Sequence, residues 1–342
     1  MSAQKDCGDM FHRQFSKAEL VEDLIFIKTK IVNAHANPYT KLSKLEFDQK
    51  FNELESRLVD GMTQREFYEL VQPIFTLLND EHAGLEHFCV PDSLWGQFYK
   101  STDIKIGPSD APIRMEYATY GDIGYLTVNS FEENSLYTID YWTQKIDSIF
   151  GLIQKDAVKE LVIDVSDNGG GNSQFGDVLI GYFTDKPYST YSGTWRKSKE
   201  YSDFLKGFGY VDSLYETIAN GESYIFQPWR IESEKNPKRF KGKTTLVIGQ
   251  NTFSSAMMFA TIIMDNDLAE VVGEIPLKGH PNHFGELIVF KTTNTQLEFW
   301  FGVKEWIRPS GSYTPYELVP HRIITLAGKS REEVIAEIRS GK

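Results

Sequence analysis

Residues 247–274 read VIGQNTFSSAMMFATIIMDNDLAEVVGE. The run from Thr245 to Ile248 is β-branched and apolar, as a buried strand requires. It gives way to a polar turn, Gly249-Gln250-Asn251-Thr252, and then to Ser254 and Ser255. Small and apolar residues from Ala256 to Met264 follow with helical character, and Ala269 to Gly273 reads as a second strand. A serine where a buried strand becomes a helix holds its hydroxyl at the strand's carboxyl edge, beside the helix N-terminal amides and the positive end of the dipole. That setting suits a nucleophile whose attack creates an oxyanion. It also suits a serine pair that only caps the helix.

A second stretch, residues 158–175, reads VKELVIDVSDNGGGNSQF. Leu161 to Val165 is a nearly continuous apolar run, the pattern of a central parallel strand. It ends in Asp167-Asn168 and then Gly169-Gly170-Gly171. Three glycines after a buried strand free the backbone to present its N–H groups to a ligand. The chain has no GxGxxG here, and no Lys-Ser/Thr pair follows, which argues against a nucleotide loop. Backbone amides that form an oxyanion hole fit the pattern better, with a tight strand-to-helix turn as the plainer alternative.

Taken together, these stretches resemble the S41 family of serine peptidases, which includes the C-terminal processing peptidases, the tricorn core and the interphotoreceptor retinoid-binding protein repeats. LVIDVSDNGGG is similar to the family's strand ending in D-x-R-x-N-x-G-G, and TFSSAMMFA to its T-x-S-[SA]-A segment. VVGE at 271–274 followed by GHPNHFGE at 279–286 resembles the corresponding stretch of the branch that lacks a PDZ domain. LLNDEHAGL at 77–85 is similar to an L-x-D-x-H-T/A-x-L segment near the family's N-terminus. The four motifs stand in the family's order. Only about forty residues separate His82 from the strand at Ile123, roughly half of what a PDZ domain needs. The resemblance implies an α/β protein with a ClpP/crotonase-like β–β–α superhelical core and a small N-terminal helical domain. The expected division is 1–95 for the helical domain and 96–342 for the catalytic domain.

Composition agrees. With 342 residues the chain can bury a large core, and 41% hydrophobic with 25% charged residues is ordinary for a globular protein. The formal charge of −12 argues against nucleic acid or an anionic membrane as partner, since both attract basic surfaces. No run of 18 apolar residues is present, so no membrane span is expected. Cys7 and Cys89, the only two cysteines, have no metal-ligand spacing and read as free thiols. No metal or cofactor is expected, and the oligomeric state is not legible. Met1 to Met10 is polar and does not read as a signal peptide. Family members are often exported in bacteria, so the resemblance implies a periplasmic or secreted protein, its leader removed ahead of Ser2-Ala3-Gln4.

Along the chain, apolar residues spaced by three and four predict helices through Leu20–Ile31, Phe47–Leu58 and Phe67–Leu77. Asn37-Pro38-Tyr39 separates the first two, and Thr63-x-x-Glu66 forms a capping box for the third. This unit reads either as a lid or substrate platform, or as a packing cap. A strand is expected at Ile123–Val128, helices at 136–154 and 174–183, and a long irregular segment at 186–240. Its aromatics, Trp195, Tyr201, Phe204, Phe208, Tyr210 and Trp229, suit either a substrate wall or a hydrophobic cluster beneath a loop. Strands at 286–291, 297–303 and 323–324 and a helix capped by Ser330 complete the pattern.

The resemblance also implies site residues. Alignment on Ala256-Met257 makes Ser254 the nucleophile, with the Ser255 amide joining Gly169 and Gly170 in the oxyanion hole. Met257 stands where the processing peptidases carry Glu. A serine hydroxyl needs a base. His82 matches the tricorn-type histidine; the other reading has it only pack or cap. His87 lies off the motif. The alternative bases are Lys278, one residue short of the processing peptidases' lysine, and His280, one residue beyond. A lysine base must be desolvated to lose its proton near neutrality. Glu305 and Glu317 are candidates for the orienting acid, while Asp265 reads as structural. The implied activity is peptide-bond hydrolysis on a peptide or protein substrate. A non-catalytic binder on the same fold and an esterase-type acyl hydrolase are the alternatives.

Overall fold

The computed structural model describes residues 8–86, 114–207 and 209–341. Cys7, Cys89, His87, Phe208 and the expected 95/96 boundary lie outside the described residues. Two compact units emerge. The first comprises the described residues within Met1–Asp110 together with Gly193–Phe226 and His283–Trp306; the second comprises those within Ala111–Ser192 together with Gln227–Asn282 and Ile307–Lys342.

In the first unit, helices Lys17–Ala34, Lys44–Arg57 and Gln64–Val71 each begin with a full capping box, from Ser16, Ser43 and Thr63. Each pairs the side-chain oxygen with an orphan amide of the first turn. The third apolar run does not continue as α-helix. Pro73 has no N–H to donate, and Gln72–Leu78 tightens into a 3-10 helix. Leu20, Leu24, Ile27, Phe47, Phe67 and Ile74 bury their side chains in one core with Phe299, Phe301 and Val303. Those last three belong to the strand Glu298–Ile307, which pairs antiparallel with His283–Lys291. The unit is therefore helical at its start but includes a five-stranded sheet, four strands of which come from later sequence and the fifth from Gly84–Leu85.

The irregular segment expected at 186–240 is instead structured. It contains strands Ser192–Arg196 and Ser223–Phe226, helices Lys199–Gly207 and Ser213–Glu216, and a short pair, Tyr188–Ser189 with Arg230–Ile231. Trp195 and Tyr201 are buried in the first unit's core, and Trp195 stacks on Tyr215 at 4.4 Å between centroids. These rings are packing residues there. Tyr210 and Trp229 are exposed.

The second unit is built on a six-stranded sheet. Its order is Arg322–Ile323, Glu270–Gly273, Lys243–Ile248, Glu160–Asp164, Ile123–Val128 and Met115–Tyr120. All neighbours are parallel except the last pair. The central strands carry almost unbroken apolar sequence because both faces are covered. On one side Val162, Val247 and Val272 pack with Val334, Ile335 and Ile338 of the C-terminal helix Arg331–Ser340, which Ser330 caps. Helix Ile139–Asp156 starts three residues later than expected because the Thr138 side chain caps it at Tyr141. No helix among the described residues is long and apolar enough to cross a membrane.

Candidate active site

Strands Glu160–Asp164 and Lys243–Ile248 are parallel neighbours, with Asp164 opposite Val247. Their carboxyl ends deliver two loops side by side. The buried Thr252 hydroxyl donates to Val165 O at 2.9 Å and accepts from the Gly249 amide at 2.9 Å. The Phe253 amide donates to Asn168 O at 3.0 Å, and Asn251 Nδ2 to Asp167 Oδ1 at 2.9 Å. These bonds fix the serine turn against the glycine turn.

Ser254 stands at the head of helix Ser255–Asp265 with φ 51° and ψ −124°. A non-glycine residue in such a conformation costs on the order of 1–3 kcal/mol, and structures keep the strain mostly at functional sites. The Ser254 side chain makes no capping bond, so the pair is not an ordinary N-cap. Ser255 is used differently: its hydroxyl donates to Gly171 O at 2.6 Å. Its amide is an orphan of the helix start, with no hydrogen-bond partner among the described residues.

Gly170 has φ 98°, and a Cβ added there would lie 2.7 Å from Ser254 Cβ and 2.9 Å from Phe253 O and Ser255 N. Only glycine permits this approach. The Gly170 amide itself is not aimed outward; it donates to Asn168 Oδ1 at 2.9 Å. Among the described residues the amides of Gly169 and Gly171 have no partner. Asn168 is fully buried, and its Nδ2 donates to Val128 O at 3.1 Å, which ties the turn to a third strand.

The two alternative bases, Lys278 and His280, flank Gly279, which approaches the serine turn. Gly279 packs on the Phe253 ring, and the Leu277 amide donates to Gln250 O at 3.1 Å. Lys278 is exposed. The His280 ring lies 3.5 Å from that of Tyr316. Glu317 is exposed. Asp265 forms a nearly buried pair with Arg308, at 2.9 and 2.5 Å, and accepts from the Ser310 amide.

His82 belongs to the first unit. Asn79 takes a left-handed conformation that ends the 3-10 helix, and Asp80 and His82 follow. The Asp80 side chain is wholly buried. Its Oδ1 accepts from the His82 amide at 2.8 Å, and its Oδ2 from the Gly302 amide at 2.8 Å. His82 Nδ1 is 3.9 Å from Oδ1, and His35 Nε2 is 3.4 Å from Oδ2. Burial pushes the Asp80 carboxyl up, but the neighbouring His35 ring, the Gly302 amide and His82 outweigh it and hold it below its ordinary 3.8. Glu305 lies in the same unit. Burial raises its carboxyl, and nearby His35 opposes this only in part. Asp80 was not among the acids expected from sequence, although the Asp-x-His spacing of LLNDEHAGL carries it.

The chain matches the model of peptidase family S41 over residues 122–313, more than half its length, a span that includes Ser254 but not His82. Among solved structures it is similar to a Parabacteroides merdae protein provisionally assigned as a peptidase. That pair is 18% identical with TM-score 0.63, over 95% of this chain and 96% of the other. It is also similar to mature CPAF complexed with lactacystin, at 13% identity and TM-score 0.61, over 90% and 94% of the two chains. A lipoprotein from Streptococcus agalactiae is 12% identical with TM-score 0.52, over 95% and 97%. At such identities the likeness shows the α/β fold. No curated protein matches the chain. The family match over the strand, glycine turn and serine turn places this chain in peptidase family S41, as a serine-type peptidase acting on peptide or protein substrates.

Proposed function

We propose that the chain cleaves peptide bonds with Ser254 as nucleophile and His82 as general base. Ser254 Oγ attacks the scissile carbonyl while His82 Nε2 takes its proton, then returns it to the leaving amine. The Ser255 amide and the unpartnered amides of the glycine turn stabilise the oxyanion. Asp80 orients His82: a carboxylate on the Nδ1 side favours the tautomer whose Nε2 accepts. A separation of 3.9 Å is long for a hydrogen bond, as catalytic contacts often are without substrate.

The observation that carries this reading is the strained backbone of Ser254 beside Gly170. It favours Ser254 over Ser255, whose hydroxyl is already bonded to Gly171 O. The exposure of Lys278 weighs against a Ser–Lys dyad.

Peptide turnover by four alanine variants tests the proposal. Ser254→Ala and His82→Ala should each lose roughly four or more orders of magnitude in kcat, because members of a triad act as a unit. Ser255→Ala should stay within about tenfold, since it keeps its amide. Lys278→Ala should be close to the parent. An inactive Lys278→Ala with a nearly normal His82→Ala would establish the dyad instead. Turnover of esters but not peptides would point to an acyl hydrolase.

A further inference from the structure

One buried imidazole has no part in the mechanism above. His35 follows the first helix as its C-cap and is fully buried. Its Nδ1 accepts from the Asn37 amide at 3.0 Å. A nitrogen that accepts carries no proton, so in the neutral ring the proton is on Nε2. That nitrogen faces Asp80 Oδ2 at 3.4 Å. The ring is wedged between Phe284 and Phe301, at 4.8 and 5.6 Å between centroids. The Ala36 amide donates to Gly302 O at 3.1 Å, and the Gly302 amide donates to Asp80. His35 and Gly302 thus hold one edge of the carboxylate while His82 lies at the other.

We propose that His35 is a positioning residue for His82, acting through Asp80. The Gly302 hydrogen bond and the His35 ring, whose Nε2 lies 3.4 Å from Oδ2, short of hydrogen-bond geometry, confine the carboxylate's plane, so that Oδ1 is presented to the His82 ring. The inference rests on His82 being the base and deepens that reading. Two titratable groups among the described residues bear on the trio: His283 lies 5.9 Å from the His82 ring, and Glu305 interacts electrostatically with His35. A wholly buried carboxylate left with fewer donors is both destabilised and free to turn.

The test uses the full chain with 15N-labelled histidine, because nitrogen shifts report which ring nitrogen of His82 is protonated. Three variants are compared: His35→Asn, His35→Gln and Asp80→Asn. Asparagine keeps an acceptor for the Asn37 amide but does not reach Asp80; glutamine keeps a donor near the Nε2 position. In the parent, His82 should be protonated on Nδ1. His35→Asn should mix the two tautomers and lower kcat about tenfold with KM little changed, the equivalent of one polar contact to a charged group. His35→Gln should recover most of both, and Asp80→Asn should show the larger loss of each. The proposal is overturned if His35→Asn alters neither, or only weakens folding while the His82 tautomer stays as in the parent; should His35→Asn not fold, a His82 tautomer left unchanged in Asp80→Asn overturns it. If the tautomer responds but His82→Ala remains active, the coupling stands and His82 as base is what fails.

Discussion

Ser254 and His82 are held in place by opposite means. Around Ser254 nearly everything is backbone: a positive φ, a glycine pressed against its Cβ, and amides at a helix start. Around His82 side chains take the larger part, a buried carboxylate and the buried His35 imidazole, with two backbone amides bonded to that carboxylate. The serine turn should therefore be intolerant of added atoms and indifferent to pH. The histidine turn should tolerate shape better and respond to charge.

Among changes to the surroundings of the two side chains, the largest expected effect comes from adding one carbon to the first region. Gly170→Ala sets a Cβ 2.7 Å from Ser254 Cβ and forces a side chain into φ 98°. A displacement of the nucleophile by about 1 Å costs roughly 10²-fold, so turnover should fall by that much while KM changes less. Unimpaired turnover would show that the close approach is incidental. Next is Asn168→Ala, which leaves the Gly170 amide and Val128 O without their side-chain partner. It should destabilise by about 1–3 kcal/mol in denaturant unfolding, the cost of unsatisfied buried groups. A smaller change would mean that water replaces the side chain.

The third effect belongs to the histidine region. Asp80 has a folded-state carboxyl below its ordinary 3.8. Its stabilisation is then complete above about that value and is lost as pH falls through the folded pKa. The difference in unfolding free energy between the parent and Asp80→Asn should stay constant through neutrality and shrink in acid. A constant difference into acid would contradict the assignment. Smallest are the caps. Thr63→Ala in one unit and Ser330→Ala in the other should each cost about 1 kcal/mol without altering turnover, so loss of activity in either would tie that cap to the site.

What could be read from sequence follows the same division. The strands Glu160–Asp164 and Lys243–Ile248 are central and parallel, so local composition alone marks them. The capping boxes at Thr63 and Ser330 are local too. So is the strand-to-helix position of Ser254, but not its strain, which depends on the approach of Gly170 from another strand's end. The stretch 186–240 looked irregular because its strands are two to five residues long and owe their order to partners far along the chain. The 3-10 turn at Gln72–Leu78 hid behind a periodicity that Pro73 interrupts. Asp80 escaped because its importance lies in a bond to the Gly302 amide, 222 residues away. His35 escaped for the same reason.

Covalent labelling with a fluorophosphonate, read by mass spectrometry of the digested chain, tests Ser254 as the nucleophile. A single adduct is expected on the peptide that contains Ser254, abolished in Ser254→Ala and retained in Ser255→Ala. An adduct that persists in Ser254→Ala and disappears in Ser255→Ala would contradict that assignment.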